Sequence, residues 1–352
     1  MTVRLRSSLA ALPAYVPGRT VPGAIKLASN ETPYPVLPHV LSRLAEAAVN
    51  ANRYPDASCA LLTAALAEKY AVPTDRVSVG CGSVALCQQL VQIAAGSEDE
   101  VVYGWRAFEA YPIVTAVVGA RGVPVPLRDH VHDLTAMADS VTDRTRLIFL
   151  CNPNNPTGTA VRRGELAAFL QAVPADVVVA LDEAYREFVT DPDVPDGLTF
   201  LDAHPNVIVL RTFSKAHGLA GLRVGYGIAG DPAITTALKQ VQLPFAVSQV
   251  AQQAALASLE PEAEKQLLER VDVVVAERHR VAAELSDMGY GVPPTQANFV
   301  WLPLGEATTD WANACADRGL IVRPFAGDGA RVTISTAEEN DRFLDAARAL
   351  AG

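Results

Sequence analysis

Short apolar runs rich in β-branched residues alternate with helical or loop segments between residues 77 and 228. Seven such runs occur, at residues 77–79, 101–103, 123–127, 147–150, 177–181, 207–210 and 224–228. They are continuously apolar, which is typical of strands that are covered on both faces. The pattern therefore predicts a large α/β domain over residues 39–245, with a mostly parallel seven-stranded sheet between helices.

The pattern differs on either side of this domain. Residues 1–38 contain six prolines, which prevent a long helix and predict an extended N-terminal arm. Helices are predicted at 40–50 and 58–70. After residue 245, helical segments at 248–259 and 261–288 precede strand-like runs at 298–302, 320–322 and 331–334, with helices near 309–318 and from 337. This order predicts a smaller α+β domain over residues 246–352.

Composition narrows the classes of function. Of the 352 residues, 50% are hydrophobic and 19% charged, enough apolar mass for a sizeable core. No apolar run approaches the ~20 residues that span a bilayer. A net charge of −10 without runs of Lys or Arg argues against nucleic acids and membranes as partners. The five cysteines form no C-x-x-C pair, and their odd number does not suggest a disulfide framework. The apolar N-terminal stretch ends at Pro13 and is too short for a signal peptide. We therefore expect a cytoplasmic protein.

Lys215 lies in residues 211–223, RTFSKAHGLAGLR, directly after the predicted strand at 207–210. Ligands of open α/β sheets bind at the carboxyl ends of strands. A lysine that loses water there has a lowered pKa and can act as a nucleophile. The alternative is a surface lysine in a glycine-rich turn.

Two further segments end predicted strands in the same way. Asp182, in the sequence DEAY, ends a strongly apolar strand. A carboxylate buried there needs a cationic partner, such as a protonated pyridine nitrogen. The alternative is that Asp182 only caps a helix. Tyr185 is within reach of the same ligand. Asn155, in NPNNPTG at 152–158, lies in a turn made rigid by two prolines and could offer its amide to a planar ligand, or be an ordinary turn residue.

A glycine turn, GCGS at 80–83, joins the first predicted strand to a helix. Backbone N–H groups at that helix start, together with Ser83, would bind a phosphate. The same segment fits a loose G-x-G-x-x-[G/A] pattern, which supports a rival hypothesis, an NAD-dependent oxidoreductase. We find no His, Cys, Asp or Glu cluster with the spacing of metal ligands, and therefore expect no metal.

The combination of NPNNPTG, DEAY and SKA, in this order and spacing, resembles the class I and II aminotransferases, which are fold-type I pyridoxal phosphate (PLP) enzymes. Residues 211–223, NRYPD at 52–56 and SNE at 29–31 are similar to the histidinol-phosphate aminotransferase subfamily. The resemblance extends over nearly the whole chain. It implies transfer of an amino group from an amino acid to PLP and then to a 2-oxo acid, although a PLP-dependent decarboxylase or lyase is an alternative.

The resemblance implies roles for the residues around the cofactor ring. Lys215 would bind PLP covalently and then move protons between the substrate Cα and C4′ of the cofactor. Asp182 would pair with the pyridine N–H, and Asn155 and Tyr185 would hydrogen-bond O3′ of the ring. Phe108, in WRAFEAY at 105–111, matches the aromatic residue that stacks on the ring.

It also implies how the cofactor phosphate is bound. Ser83, the Val84 N–H, Ser214 and Arg223 would contact it within one subunit. Tyr54 matches a residue that reaches the phosphate from the neighbouring subunit, so the resemblance implies a homodimer with shared active sites. The arm of residues 1–38 would pack on the small domain or on the partner subunit.

On the substrate side, Arg331 matches the residue that binds the substrate carboxylate through a bidentate pair, and Asn30 lies nearby. Arg323 and Tyr15 match positions that can meet the phosphate of histidinol phosphate. The string GCGSVALCQQL points elsewhere, because Val84 and Ala85 stand where histidinol-phosphate enzymes carry a polar pair. It resembles the aromatic amino acid branch, so we predict an aromatic aminotransferase using a 2-oxo acid such as 2-oxoglutarate, with histidinol-phosphate aminotransferase as the alternative.

Overall fold

The structure is a computed structural model that describes residues 21–351 of the chain. The described strands are β1 (Ile25–Lys26), β2 (Val77–Gly80), β3 (Glu100–Trp105), β4 (Arg121–Pro126), β5 (Thr145–Cys151), β6 (Val178–Asp182), β7 (Val207–Thr212), β8 (Gly225–Ala229), β9 (Phe299–Leu302), β10 (Leu320–Ile321), β11 (Arg323–Phe325) and β12 (Gly329–Thr333). The described α-helices are α1 (Pro38–Ala48), α2 (Ala60–Tyr70), α3 (Ser83–Ala94), α4 (Ala110–Val118), α5 (Leu134–Asp139), α6 (Arg163–Ala172), α7 (Pro232–Val241), α8 (Gln249–Ser258), α9 (Pro261–Asp287), α10 (Thr308–Asp317) and α11 (Ala337–Leu350).

A seven-stranded sheet with the order β2-β8-β7-β6-β5-β3-β4 forms the centre of the large domain. Strand β8 is antiparallel to both neighbours, and the neighbouring pairs from β7 to β4 are parallel. All the predicted apolar runs form these strands, so the mostly parallel sheet is confirmed. In the register Cys151 pairs with Asp182 and Asp182 with Leu210, so the carboxyl ends of β5, β6 and β7 lie side by side.

Each central strand contributes to two cores. In β5, Ile148 and Leu150 pack in the cluster that contains residues of α1, α2, α6 and α8. Their neighbours Leu147 and Phe149 pack in the cluster that contains residues of α3, α4 and α7. Successive side chains of a strand point to opposite faces, so continuous apolar runs supply both cores at once.

The smaller domain has its own core. Strands β11, β12 and β9 form an antiparallel sheet in that order, and its residues cluster with α9, α10 and α11. The chain passes from the large-domain core to the small-domain core after the predicted boundary near residue 245. Ala251 and Ala254 of α8 still pack in the large-domain core, and within α9 the contacts change from that core at Ala263 to the small-domain core at Leu267.

The arm connects both cores. Strand β1 pairs in parallel with β10, placing Ile25 opposite Leu320, and Leu27 packs in the small-domain core. Leu37 packs in the large-domain core. The first twenty residues of the predicted arm lie outside the described residues, and its packing on a partner subunit stays a prediction. None of the helices within residues 21–351 combines the length and the hydropathy that a bilayer crossing requires.

Candidate active site

A cavity of about 250 Å³ lies at the carboxyl ends of β5, β6 and β7 and is closed on its other side by β11 and β12. All but two of the predicted site residues line it: Asn30, Ser83, Val84, Phe108, Asn155, Asp182, Tyr185, Ser214, Lys215, Arg223, Arg323 and Arg331. Their roles stay predictions, but the fold brings these widely separated residues into one space.

Lys215 follows the carboxyl end of β7 and is partly buried. Its Nζ donates to the Ser29 carbonyl at 3.1 Å and lies 5.8 Å from the centre of the Tyr185 ring. Loss of hydration, and then the nearby charge of Arg331, lower the pKa of Lys215 to about 7. A neutral, nucleophilic amine is therefore well populated at physiological pH.

Asp182 ends β6 and is only 2% exposed. Its carboxylate accepts hydrogen bonds from the Tyr111 hydroxyl at 2.8 Å and from the Ala184 N–H at 3.3 Å. Burial raises the pKa of Asp182, and the Tyr111 hydrogen bond opposes that change. A buried carboxylate with so few partners can accept a cationic N–H group.

The sequence alone did not indicate that Tyr111 is connected to the active site. It is fully buried in α4 and stacks on Phe149 of β5, with ring centres 4.5 Å apart and an interplanar angle of 3°. The only signal in the sequence was its helical spacing of three from Phe108, which indicated ordinary core packing. The structure shows that its hydroxyl also holds the Asp182 carboxylate.

The cofactor side and the substrate side share one network. The Asn155 side-chain oxygen accepts a hydrogen bond from the Arg331 guanidinium, which also donates to the Ala28 carbonyl at 2.6 Å. The Tyr185 hydroxyl accepts from the Asn30 amide at 2.9 Å. Because Arg331 donates to two neutral oxygens, an incoming carboxylate can replace them.

The glycine turn before α3 and the segment after β7 form a cradle of donors. The Arg223 guanidinium donates to the Ser214 hydroxyl at 3.4 Å. Gly82 has a φ of +76°, and a Cβ there would lie 2.4 Å from Arg223. A glycine is therefore required for the guanidinium to lie against the start of α3, beside Ser83. Backbone N–H groups, hydroxyls and a guanidinium together suit a phosphate.

The cavity mouth is formed by Glu109, Arg323 and Phe325. Arg323 donates to the Glu109 carboxylate at 2.7 Å. The Phe325 ring lies 5.6 Å from the Arg323 guanidinium and 5.9 Å from that of Arg331. Sequence reasoning placed Arg323 in the site but missed Glu109 and Phe325, which carried no spacing signal.

Two predicted site residues do not line the cavity. Tyr54 is 83% exposed and stacks on Phe245 with ring centres 4.5 Å apart. Its surroundings form a surface groove that includes Arg43 and Gln249. Tyr15 lies outside the described residues, so its predicted contact with a substrate phosphate stays a prediction.

The sheet topology argues against the oxidoreductase alternative. Strand β2, which precedes the glycine turn, pairs with β8 in an antiparallel arrangement at the edge of the sheet. The dinucleotide-binding pattern instead belongs to a parallel βαβ unit. The glycine turn therefore offers donors that suit a phosphate, without the strand arrangement that a dinucleotide needs.

Residues 22–346 match the family model described as aminotransferase class I and II. The aromatic amino acid aminotransferase of Mycobacteroides abscessus is 58% identical over 349 residues, 99% of each chain. Its namesake from Streptomyces avermitilis is 57% identical over 346 residues, 97% of this chain and 96% of its own. Among solved structures, histidinol-phosphate aminotransferase from Sinorhizobium meliloti in complex with pyridoxal-5'-phosphate is similar with a TM-score of 0.89 and 28% identity, covering 99% of both chains.

Proposed function

The chain belongs to the class I and II aminotransferases, and from this membership we propose that it transfers the amino group of an aromatic L-amino acid, such as phenylalanine, tyrosine or tryptophan, to a 2-oxo acid such as 2-oxoglutarate. The observation that carries the proposal is the 57–58% identity to aromatic amino acid aminotransferases over nearly the whole chain. The predicted fold-type I architecture is confirmed by the same family and by the solved structures.

The residues of the cavity fit PLP as the cofactor. A buried carboxylate, Asp182, suits a protonated ring nitrogen, and the cradle of Ser83, Ser214 and Arg223 suits a phosphate. Burial lowers the pKa of the Lys215 amine to about 7, so roughly half of it is neutral at pH 7. When bound, PLP supplies an electron sink for the negative charge that develops at the substrate Cα.

The protein's own side chains orient the substrate and move its protons. Arg331 binds the substrate carboxylate after giving up the neutral oxygens of Asn155 and Ala28. Lys215 Nζ accepts the proton from the substrate Cα, since its lowered pKa makes it a competent base near neutrality. Asp182 would pair with the protonated nitrogen of the cofactor ring, and Asn155 and Tyr185 would hydrogen-bond its ring hydroxyl.

The cavity favours an uncharged aromatic side chain. Phe108, Phe325 and Val84 line it, and the Arg323 charge is already matched by Glu109. Histidinol phosphate, the alternative substrate, carries a dianionic group, and the histidinol-phosphate aminotransferase from Sinorhizobium meliloti shares only 28% identity with this chain. The apolar residues of the lining and the paired arginine therefore support the aromatic assignment.

The test is to measure kcat/KM for phenylalanine, tyrosine, tryptophan and histidinol phosphate, each with 2-oxoglutarate. We expect phenylalanine to exceed histidinol phosphate by at least about tenfold. A clear preference for histidinol phosphate would reverse the assignment. Release of CO₂ from phenylalanine in place of glutamate formation would identify a decarboxylase instead.

We also propose a homodimer with shared active sites. Tyr54, Leu243 and Phe245 are large apolar side chains with 83%, 76% and 44% exposure. A partner subunit that covers them would bring Tyr54 to the other subunit's phosphate cradle. The free thiols of all five cysteines support a reducing compartment, and we propose the cytoplasm.

Mixing two impaired variants tests the shared site. Tyr54→Ala should weaken PLP retention, and Lys215→Ala should abolish transamination. In a heterodimer of the two, one composite site keeps both wild-type residues, so mixing should restore up to half of the sites. Heterodimers that form without regaining activity would contradict the shared site.

A further inference from the structure

We propose that Glu109 determines the charge selectivity of this enzyme: by pairing with Arg323 it disfavours substrates that carry a second negative charge. The inference rests on the proposed transamination, since it concerns which substrates that same cavity accepts. It is carried by the arrangement of the two cavity arginines and of the Glu109 carboxylate that faces one of them.

Arg323 and Arg331 lie opposite each other on neighbouring strands. They are directly paired in the antiparallel register of β11 and β12, and both line the cavity. Side chains at paired positions share one face of a sheet, and like charges directly opposite each other are destabilising. Two adjacent guanidinium groups at the cavity would together favour a dianion, or two separate anionic groups on one substrate.

Glu109 changes this balance from the other domain. It directly precedes α4, and its carboxylate lies 2.7 Å from the Arg323 guanidinium. The side chains of Glu109 and Arg323 are only 32% and 15% exposed, so solvent screens their attraction less than at an open surface. Glu109 itself lines the cavity, so its negative charge also faces an incoming ligand.

The two arginines are therefore not equivalent toward a substrate. Arg331 donates to the neutral oxygens of Asn155 and Ala28, which one substrate carboxylate can replace. A second anionic group has to displace Glu109 from Arg323 or lie beside the Glu109 carboxylate, and both cost free energy. A substrate with one carboxylate and an uncharged ring avoids this cost, and the Phe325 ring, which lies near both arginines, offers it an apolar contact.

A second ion pair in the same region provides a matched control. Arg106 pairs with Asp328, and this ion pair joins the segment before α4 to the turn between β11 and β12. The pair of Glu109 and Arg323 joins the same two parts of the chain. Neither Arg106 nor Asp328 is among the residues that line the cavity. Breaking this second pair loosens the same junction without changing the charge that faces the substrate.

The experiment compares Glu109→Gln with Asp328→Asn in the PLP-loaded enzyme. Binding of two unreactive acids, glutarate with two carboxylates and 3-phenylpropionate with one, is measured by calorimetry. We expect Glu109→Gln to tighten glutarate about tenfold and to leave 3-phenylpropionate within about twofold. Asp328→Asn should leave the ratio of the two affinities unchanged. In turnover, Glu109→Gln should raise kcat/KM for histidinol phosphate relative to phenylalanine and lower KM for 2-oxoglutarate but not for phenylpyruvate.

Two results would overturn the inference: an unchanged ratio of affinities in Glu109→Gln, or an equal change in Asp328→Asn. Folding is checked by the visible absorbance of the bound cofactor, which neither substitution should remove. The binding measurement needs no turnover. If the wild-type enzyme failed to transaminate phenylalanine, the proposed function would fail, whereas the glutarate measurement would still decide the role of Glu109.

Discussion

The cavity floor, made of Asn155, Asp182 and Lys215, and the cavity mouth, made of Glu109, Arg323 and Phe325, are built in different ways. Each floor residue lies at or within a few positions of the carboxyl end of β5, β6 or β7, and these strands are adjacent and parallel. The mouth joins two domains, and its ion pair links residues that are 214 positions apart.

This difference separates two kinds of function. The sheet register holds the floor, because Cys151 pairs with Asp182 and Asp182 with Leu210, so a change there should affect every substrate alike. At the mouth the Glu109 side chain is 32% exposed, against 2% for Asp182 at the floor, so the ion pair of Glu109 with Arg323 can exchange partners more readily. A change at the mouth should therefore alter the preference among substrates while the chemistry continues.

The largest expected effect is at the floor, from Lys215→Ala. In the proposed mechanism, loss of the amine would remove both the covalent attachment of PLP and the base at the substrate Cα, so transamination should fall at least about 1000-fold for all substrates. The visible absorbance of the lysine-bound cofactor should also disappear, measured in the purified, folded protein. Retention of that absorbance would contradict the assignment of Lys215, and a loss limited to some substrates would break the distinction between floor and mouth.

Arg331→Lys should have the next largest effect, because Arg331 contacts both regions through Asn155 and Phe325. A lysine keeps the charge but loses the bidentate geometry for a carboxylate. We expect KM to rise about tenfold for phenylalanine and for phenylpyruvate, with a smaller change in kcat. A change in kcat alone would instead indicate that Arg331 mainly positions the residues of the cavity floor and contributes little to substrate binding.

The pH dependence of cofactor capture tests the floor without any substrate. The pKa of Lys215 is lowered to about 7, so the fraction of neutral amine increases as the pH rises through that value. In protein stripped of PLP, the rate of covalent capture should therefore increase about tenfold between pH 6 and pH 8. It is followed by visible absorbance, with Lys215→Ala as the control that lacks this step. A rate that increases only above pH 9 would show that the amine is not desolvated.

The smallest expected effect comes from Tyr111→Phe, beneath the floor. The substitution keeps the stacking on Phe149 and removes only the hydroxyl that donates to Asp182. Burial raises the pKa of Asp182 and the Tyr111 hydrogen bond lowers it, so losing that bond should increase the pKa further. The acidic limb of the kcat profile should move up by roughly one pH unit, equally for all amino donors. A shift of the acidic limb for one amino donor only would show that Tyr111 affects substrate preference, as expected of a residue at the mouth.

The sequence by itself determined the central sheet and most of the floor. Apolar runs of β-branched residues specify buried parallel strands, and parallel strands necessarily bring their carboxyl ends to one edge. Residues placed just after those runs, such as Asp182 and Lys215, were therefore predictable from local pattern and family motif together. The resemblance also identified Arg331 and Arg323, because they occupy matching positions near two short strands.

Only the tertiary structure decided the features that depend on how distant segments meet. It assigned α8 to the large-domain core, because the apolar face of that helix packs there and the sequence does not specify its partner. It joined Tyr111 to Asp182 and Glu109 to Arg323, pairs that are 71 and 214 positions apart. Periodicity describes which face of one element is apolar, whereas hydrogen bonds and ion pairs between elements depend on the relative positions of the elements, which the packing of the whole chain determines.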